Sequence, residues 1–263
     1  MLEFIPKGAI FDIDDTLLDN YPKTHTHGLH EYARLLALRE IGRERNIPLL
    51  AEIDEAQNKA VIQRAREHSI EGSVWQLFWE LGMVQSEEID RGHVLLQDVA
   101  TRKHTLYGPI LREYGTPLPG AVEFVQAMHD ATKGKIAVAS GARGEDVQVF
   151  LQMSKLTEAF RPEHVVARED FVRAKPDPEA FETAFQRLCL PDACRSQVLA
   201  FEDDPKGVVS AKKAGLYVCA ITSRFGEEVF ANSPHPPDLI QNSYTAFATI
   251  FGLDLPTRNY HHQ

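Results

Sequence analysis

The chain has 263 residues, 43% hydrophobic and 25% charged, an ordinary composition for a folded protein with room for one large α/β domain or a core plus a smaller domain. Its formal net charge of -10 argues against a broad nucleic-acid or anionic-membrane surface, while leaving room for one anionic group held by a metal or a single lysine. Cys189, Cys194 and Cys219 lack CxxC spacing, the amino terminus has no basic stretch leading into an apolar core, and no apolar run reaches membrane-spanning length. A cytoplasmic protein without a disulfide framework, zinc knuckle or membrane span is expected.

The first element is Ala9-Ile10-Phe11, an apolar run that ends in Asp12-Ile13-Asp14-Asp15-Thr16. A buried strand cannot continue through clustered acids without a compensating cation, so the acids mark its carboxyl end. In an open parallel sheet that end is where ligands bind. An Asp-rich turn capping the next helix is the competing reading of the same residues.

From residue 19 to about 115 the pattern becomes helical and charged. Leu29, Tyr32, Ala33 and Leu36 fall at i, i+3, i+4 and i+7, as do Val74, Leu77, Phe78 and Leu81, so each set predicts one apolar helix face. Pro48 and Gly72 are expected to separate helices, and 53–69 and 87–107 are rich in helix formers. Trp75 and Trp79 read as core of this segment, and Arg64, Arg66 and His68 as solvated.

After Thr116-Pro117-Leu118-Pro119-Gly120, helices alternate with short apolar strands. Ala121, Phe124, Val125 and Met128 share a helix face, and Lys135–Ser140 is a strand with a polar end. A helix with Val147, Phe150 and Leu151, the strand His164–Ala167, and a helix with Phe181, Ala184, Phe185 and Leu188 come next. The strand Val198–Phe201, a helix from Lys206 and the strand Leu216–Ile221 complete the series. Such alternation predicts βαβ units and a parallel sheet covered on both faces. The expected domains are therefore a core of 1–18 with 116–263 and a helical insertion of 19–115.

Three polar stretches stand at later strand ends or helix starts. Ser140-Gly141 can offer a hydroxyl and amide groups to an anion, or simply cap a helix. In Lys175-Pro176-Asp177-Pro178, Asp177 as cap and Pro178 at the first helical position explain all but Lys175, which is left to reach a phosphate. Glu202-Asp203-Asp204 ends a strand as Asp12–Asp15 end the first, and two acid clusters at two parallel strand ends would repel strongly unless a divalent cation sat between them. Oxygen ligands, an amide cradle and one lysine suit magnesium and phosphoryl transfer, with a carboxylate able to serve as nucleophile.

These residues in this order resemble the four motifs of the haloacid dehalogenase superfamily of phosphohydrolases: Asp12-Ile13-Asp14-Asp15-Thr16, Ser140, Lys175-Pro176 and Glu202-Asp203-Asp204. Gly207–Leu216, Pro119-Gly120 and Pro236-Pro237-Asp238-Leu239-Ile240 resemble stretches of the subfamily related to phosphoglycolate phosphatase and β-phosphoglucomutase. The resemblance implies a three-layer Rossmann-like α/β core with a parallel sheet and an inserted all-helical cap. It implies Mg2+-dependent hydrolysis of a small phosphorylated metabolite through an aspartyl-phosphate, with a monomer or weak homodimer as the working form. Asp12 would be the nucleophile and Asp14 the general acid and base. Asp12, the Asp14 carbonyl and Asp203 would hold magnesium, with Glu202 in support. Ser140, Gly141 and Lys175 would hold the phosphoryl group, and Thr16 would fix the nucleophile loop. Asp15 stands where glycine is common. Asp204 stands where serine is common, and it either adds charge near the metal or caps the next helix.

His25, His27 and His30, just beyond the nucleophile loop, are candidates to face the substrate, against the reading of a solvated, histidine-rich helix face; Arg143 is a further candidate for phosphate or substrate. A separate metal site in Thr24-His25-Thr26-His27 is disfavoured, because ligands two residues apart diverge on a helix. The alternatives are a sugar phosphomutase of the β-phosphoglucomutase type and a non-catalytic phosphate-binding regulatory module. Dehalogenase chemistry is disfavoured, since attack on carbon would not need Asp14 and the acids around Asp203.

Overall fold

The computed structural model describes residues 4–23, 27–67 and 69–255. The chain divides into two compact units, Met1–Asp19 with Thr116–Gln263, and Asn20–Gly115.

The first unit contains strands β1 (Gly8–Phe11), β2 (Leu18–Asp19), β3 (Thr116–Pro117), β4 (Ile136–Ala139), β5 (Val165–Val166), β6 (Val198–Glu202), β7 (Tyr217–Ile221) and β8 (Leu239–Gln241). A six-stranded sheet runs in the order β5-β4-β1-β6-β7-β8, with every pairing parallel. The ribbon β2-β3 is antiparallel and separate, pairing Leu18 with Pro117; nothing in its two-residue arms announces a strand in the sequence. β1 lies between β4 and β6, so the connections leave it in opposite directions and open a crevice at its carboxyl end.

The strands are continuous apolar runs because both faces of the sheet are covered. Successive residues point to opposite sides. Ile10 and Ala200 join a core with Phe181, Phe185, Val208 and Ala211, which come from helices α8 (Glu179–Arg187) and α9 (Pro205–Lys213). On the other side Phe11 stacks on Phe201 at 4.8 Å. Phe124 of α6 (Ala121–Ala131) and Tyr244 of α11 (Tyr244–Phe251) complete that aromatic layer. Helices α7 (Gly144–Met153) and α10 (Glu227–Ala231) finish the unit. The sheet is therefore the middle of three layers.

The Asn20–Gly115 unit consists of α1 (Leu29–Glu44), α2 (Pro48–Ala51), α3 (Glu55–Arg64), α4 (Ile70–Glu80) and α5 (Val94–Tyr114). Leu38, Ile41, Val61, Phe78 and Val99 lie in its core. The Asp54 carboxylate accepts the Gln57 N–H at 2.7 Å to cap α3, and the Ser69 hydroxyl accepts the Gly72 N–H at 2.9 Å to cap α4. Arg34 is buried among backbone carbonyls: it donates to Ser73 O at 2.8 Å and to Asn58, and burial pulls its guanidinium down to about 9.

Several expectations for this unit are corrected. Gly72 does not separate helices but sits in the first turn of α4, where an added Cβ would lie 2.3 Å from Glu67 O. Its role is close approach, which backbone pattern alone does not distinguish from a break. The buried stripe of α1 runs through Ala33, Leu35 and Leu38, leaving Tyr32 and Leu36 half-buried. Residues 87–93 precede α5, which continues past Pro109. Trp75 is core, but Trp79 is 39% exposed. Arg64 and Arg66 are solvent-exposed and paired with Glu80 and Glu87; His68 lies outside the described residues.

In the first unit, Pro178 is the residue before α8 rather than its first, while Asp177 does accept the Glu179 N–H at 3.1 Å. Cys189, Cys194 and Cys219 are free thiols. No helix among the described residues is long and apolar enough to cross a membrane.

Candidate active site

Three strand ends and one loop supply the site. Asp12 follows β1 and stays tied to the sheet, its N–H donating to Phe201 O at 3.0 Å. The chain then turns so that Thr16, Leu17 and Leu18 all donate to Ile13 O, at 3.2, 2.8 and 2.9 Å. Asp15 sits in this turn at φ 56°, in the left-handed region that glycine takes freely and a short polar side chain tolerates. That conformation accounts for the glycine common at this position in the resembling family. Thr16 is fully buried, and its hydroxyl donates to Asp203 Oδ1 at 2.9 Å, joining the turn after β1 to the end of β6.

Lys175 comes from the loop before α8 and ties the strand ends together. Its Nζ donates to Asp12 Oδ1 at 2.6 Å, Glu202 Oε1 at 2.5 Å and Ala139 O at 2.9 Å. The other Glu202 oxygen accepts the N–H groups of Asp203 at 3.1 Å and Asp204 at 3.2 Å. Glu202 can fold against the start of α9 only because residue 207 is glycine: a Cβ there would lie 1.9 Å from Glu202 Oε1. Asp204 caps α9 through the Lys206 N–H at 2.7 Å, which is the capping alternative of its two readings.

Carboxylate oxygens of Asp12, Glu202 and Asp203 lie within 4.8 Å of one another, all buried. Glu202 thus belongs to the possible donor set itself. The Asp14 carboxylate does not join this group among the described residues; its expected contribution to a metal is the main-chain carbonyl. Burial raises the Asp12 carboxyl well above the usual range, helped by the Glu202 and Asp14 charges and opposed by Lys175. Burial likewise raises Glu202 against the pull of Lys175. Asp203 is pushed well up by burial and then by Glu202, Asp12 and Asp15. Burial alone would lower the Lys175 ammonium, but the Asp12 and Glu202 carboxylates outweigh it and hold it above the ordinary lysine value. Three buried carboxylates against one ammonium leave the cluster short of positive charge. An all-oxygen donor set with such a deficit fits a hard divalent cation such as magnesium.

Ser140 follows β4 and is fully buried. Its N–H donates to Val166 O at 3.0 Å, and its Oγ accepts the Ala142 N–H at 3.1 Å. Gly141 is exposed, with nothing near its Cα that a side chain would meet. Arg143 projects into an ion pair with Glu145 at 2.9 Å and lies 3.7 Å from Glu169.

In the helical unit, His27 Nε2 lies 2.7 Å from Glu55, its side chain only 13% exposed. The His30 ring stacks on Tyr107 at 4.0 Å, with Nδ1 3.0 Å from Lys103 Nζ. Each of these two histidines is engaged by neighbours of its own unit. His25, Thr24 and Thr26 lie outside the described residues.

Sequence reasoning missed two hydroxyls on the turn after β1. Ser223, after β7, donates to Asp15 O, and Tyr244 donates to Thr16 O at 2.7 Å. Neither is flanked by a pattern that could have signalled it, since the contacts span 208 and 228 residues.

A family model described as haloacid dehalogenase-like hydrolase matches residues 6–215. Glycerol-1-phosphate phosphohydrolase 1 of Saccharomyces cerevisiae is 31% identical over 127 residues, covering 46% of this chain and 50% of that protein. The chain thus spans about half the length of this and other curated relatives it matches. Hexitol phosphatase A of Escherichia coli is 26% identical over 220 residues, 82% of this chain and 83% of that one. The crystal structure of a family IA, variant 3 hydrolase from Entamoeba histolytica shares the fold with a TM-score of 0.68 at 20% identity, covering 91% of this chain and 94% of that chain.

Proposed function

The chain belongs to the haloacid dehalogenase-like hydrolases, and from that premise we propose that it hydrolyses a small phosphomonoester, with magnesium, through an aspartyl-phosphate on Asp12. The observation that carries this reading is the single ammonium of Lys175 shared by Asp12 and Glu202, beside Asp203.

Asp12 and Asp203, with the Asp14 carbonyl and Glu202 beside them, would hold the magnesium. Bound there, the ion would neutralise charge on the phosphoryl oxygens. An Asp12 oxygen attacks phosphorus as the bond from phosphorus to the ester oxygen breaks, and Asp14, as the carboxylic acid, gives its proton to the leaving alkoxide. Asp14, now ionised, takes a proton from a water whose oxygen attacks phosphorus. The Asp12–phosphorus bond breaks, free phosphate leaves, and both carboxyl groups return to their starting states. Lys175 offsets the charge on Asp12 and reaches the transferring group, and Ser140 and Gly141 receive its remaining oxygens. Thr16 holds the turn against Asp203. Arg143 is proposed as a contact of the substrate's organic part or phosphate.

Two curated relatives are named for phosphate esters of small polyols, which supports a small polyol or sugar phosphate as substrate and favours hydrolysis over phosphate transfer within one sugar. The test is phosphate release from a panel of polyol, sugar and nucleotide monophosphates, with magnesium and with chelator. Metal-dependent release is expected, abolished in Asp12→Asn and severely reduced in Asp14→Asn. Movement of phosphate between positions of one sugar, with little free phosphate, would overturn hydrolysis in favour of the mutase. Ligand binding that stabilises the fold with no turnover on the panel would favour the regulatory module.

A further inference from the structure

The nucleophile turn is gripped from a part of the chain beyond the matched family region, residues 6–215. Ser223 donates its hydroxyl to Asp15 O, and Tyr244 donates its phenol to Thr16 O at 2.7 Å. The two acceptors are consecutive carbonyls, and the first belongs to the left-handed residue of the turn. Upstream, Asp12 is fixed to the sheet through Phe201 O. Asp14 therefore lies between a sheet-anchored residue and a hydroxyl-anchored one.

The Tyr244 phenol is a rigid anchor. Its ring is fully buried, with Phe124 at 5.0 Å and Phe247 at 6.2 Å. A Tyr ring ordered in this way costs little further entropy to aim its hydroxyl. Ser223 sits in the loop after β7, separate in sequence from Tyr244 at the start of α11. Two independent elements thus hold neighbouring carbonyls of one short turn, the arrangement that catalytic groups need if they are to keep their geometry.

We infer that Ser223 and Tyr244 are positioning residues that fix the backbone at Asp15 and Thr16 and thereby aim Asp14 for proton transfer to the leaving group. The inference rests on the reading of Asp12 as nucleophile and Asp14 as acid and base. It assigns the 216–255 segment a part in the chemistry, through two main-chain oxygens and no contact with substrate.

A leaving group that needs a proton discriminates this role from general stability. An alkyl phosphate depends on protonation as its ester bond breaks, whereas p-nitrophenyl phosphate expels a stable anion. The parameter kcat/KM reports the step up to the first phosphoryl transfer and omits the later attack of water. Ser223→Ala and Tyr244→Phe are therefore each expected to lower kcat/KM for the best alkyl phosphate of the panel by about tenfold. For p-nitrophenyl phosphate each is expected to lower it by no more than about twofold. Phe251→Leu, which loosens the same aromatic layer without touching the turn, is expected to lower the melting temperature and leave the ratio of the two substrates unchanged.

Amide exchange gives a second readout that needs no turnover. In both hydroxyl variants the Thr16, Leu17 and Leu18 amides should exchange about tenfold faster, while Ile136–Ala139 of β4 should not change. Equal losses on both esters, or unchanged exchange in the turn, would overturn the inference. A wild-type protein that releases no phosphate from any ester would instead overturn the hydrolase reading, and exchange would then decide the grip on the turn alone.

Discussion

Lys175 Nζ lies 2.6 Å from Asp12 Oδ1, across 163 residues of sequence. The same ammonium lies 2.5 Å from Glu202 Oε1, so one side chain balances two buried acids from different strand ends. Removing one partner of such a set leaves charges buried without compensation, which is far more costly than losing an exposed pair.

Lys175→Met keeps most of the side-chain volume and removes the charge. Unfolding in urea should show a loss of about 3–5 kcal/mol, and phosphate release should fall at least about a hundredfold. Saturating magnesium should recover part of the stability and little of the activity, because a cation can offset the carboxylates but cannot replace the Lys175 hydrogen bonds. Wild-type turnover in Lys175→Met would remove the lysine from the mechanism.

Gly207→Ala tests the seat of Glu202. The new methyl would lie 1.9 Å from Glu202 Oε1, so either the carboxylate leaves the Asp203 and Asp204 amides or α9 shifts. Overpacking of this kind costs roughly 1–3 kcal/mol, and activity should fall with it because Glu202 also holds Lys175. Serine at the same position should behave like alanine, whereas alanine at Gly141, where a Cβ meets nothing, should leave stability unchanged. The melting temperatures of the three variants check this ordering.

His164 provides the pH test. It is 4% exposed, with Nδ1 3.0 Å from Ile136 O; a carbonyl only accepts, so Nδ1 carries the proton. Burial lowers its pKa below the ordinary value, and the Ile136 hydrogen bond only partly opposes this. With a folded value below the unfolded one of about 6.5, the unfolded chain binds the extra proton first. The contribution is therefore complete above about pH 6.5 and is lost as pH falls toward the folded value. His164→Gln, which does not titrate, should show a smaller drop in urea midpoint between about pH 7 and pH 5.5. An unchanged drop would show that His164 does not set this slope.

The strand ends were legible because each apolar run stops at polar residues: Phe11 before Asp12, Ala139 before Ser140, Phe201 before Glu202. A parallel sheet buried on both faces leaves that abrupt boundary in the sequence. The strand order was not legible, since β1 lies between β4 and β6 for reasons of long-range packing that no local pattern records. Glu202 as a member of the carboxylate group, rather than its support, depended on the fold of its side chain against Gly207. Ser223 and Tyr244 escaped for the same reason: a hydroxyl that bonds a carbonyl 208 or 228 residues away carries no neighbouring signature. In the helical unit, spacing found the apolar faces but could not tell Gly72 in a tight helical turn from Gly72 at a break. Composition likewise gave no sign that Arg34 would be buried among carbonyls.

The proposed mechanism requires that Asp12 become phosphorylated during turnover. Wild-type protein, quenched in acid during turnover of its best substrate with magnesium and digested, should yield the peptide containing Asp12 with the mass of one added phosphoryl group. That species should be absent from Asp12→Asn, which should also release no phosphate. A phosphoryl group found on another residue, or steady phosphate release by Asp12→Asn, would contradict the account.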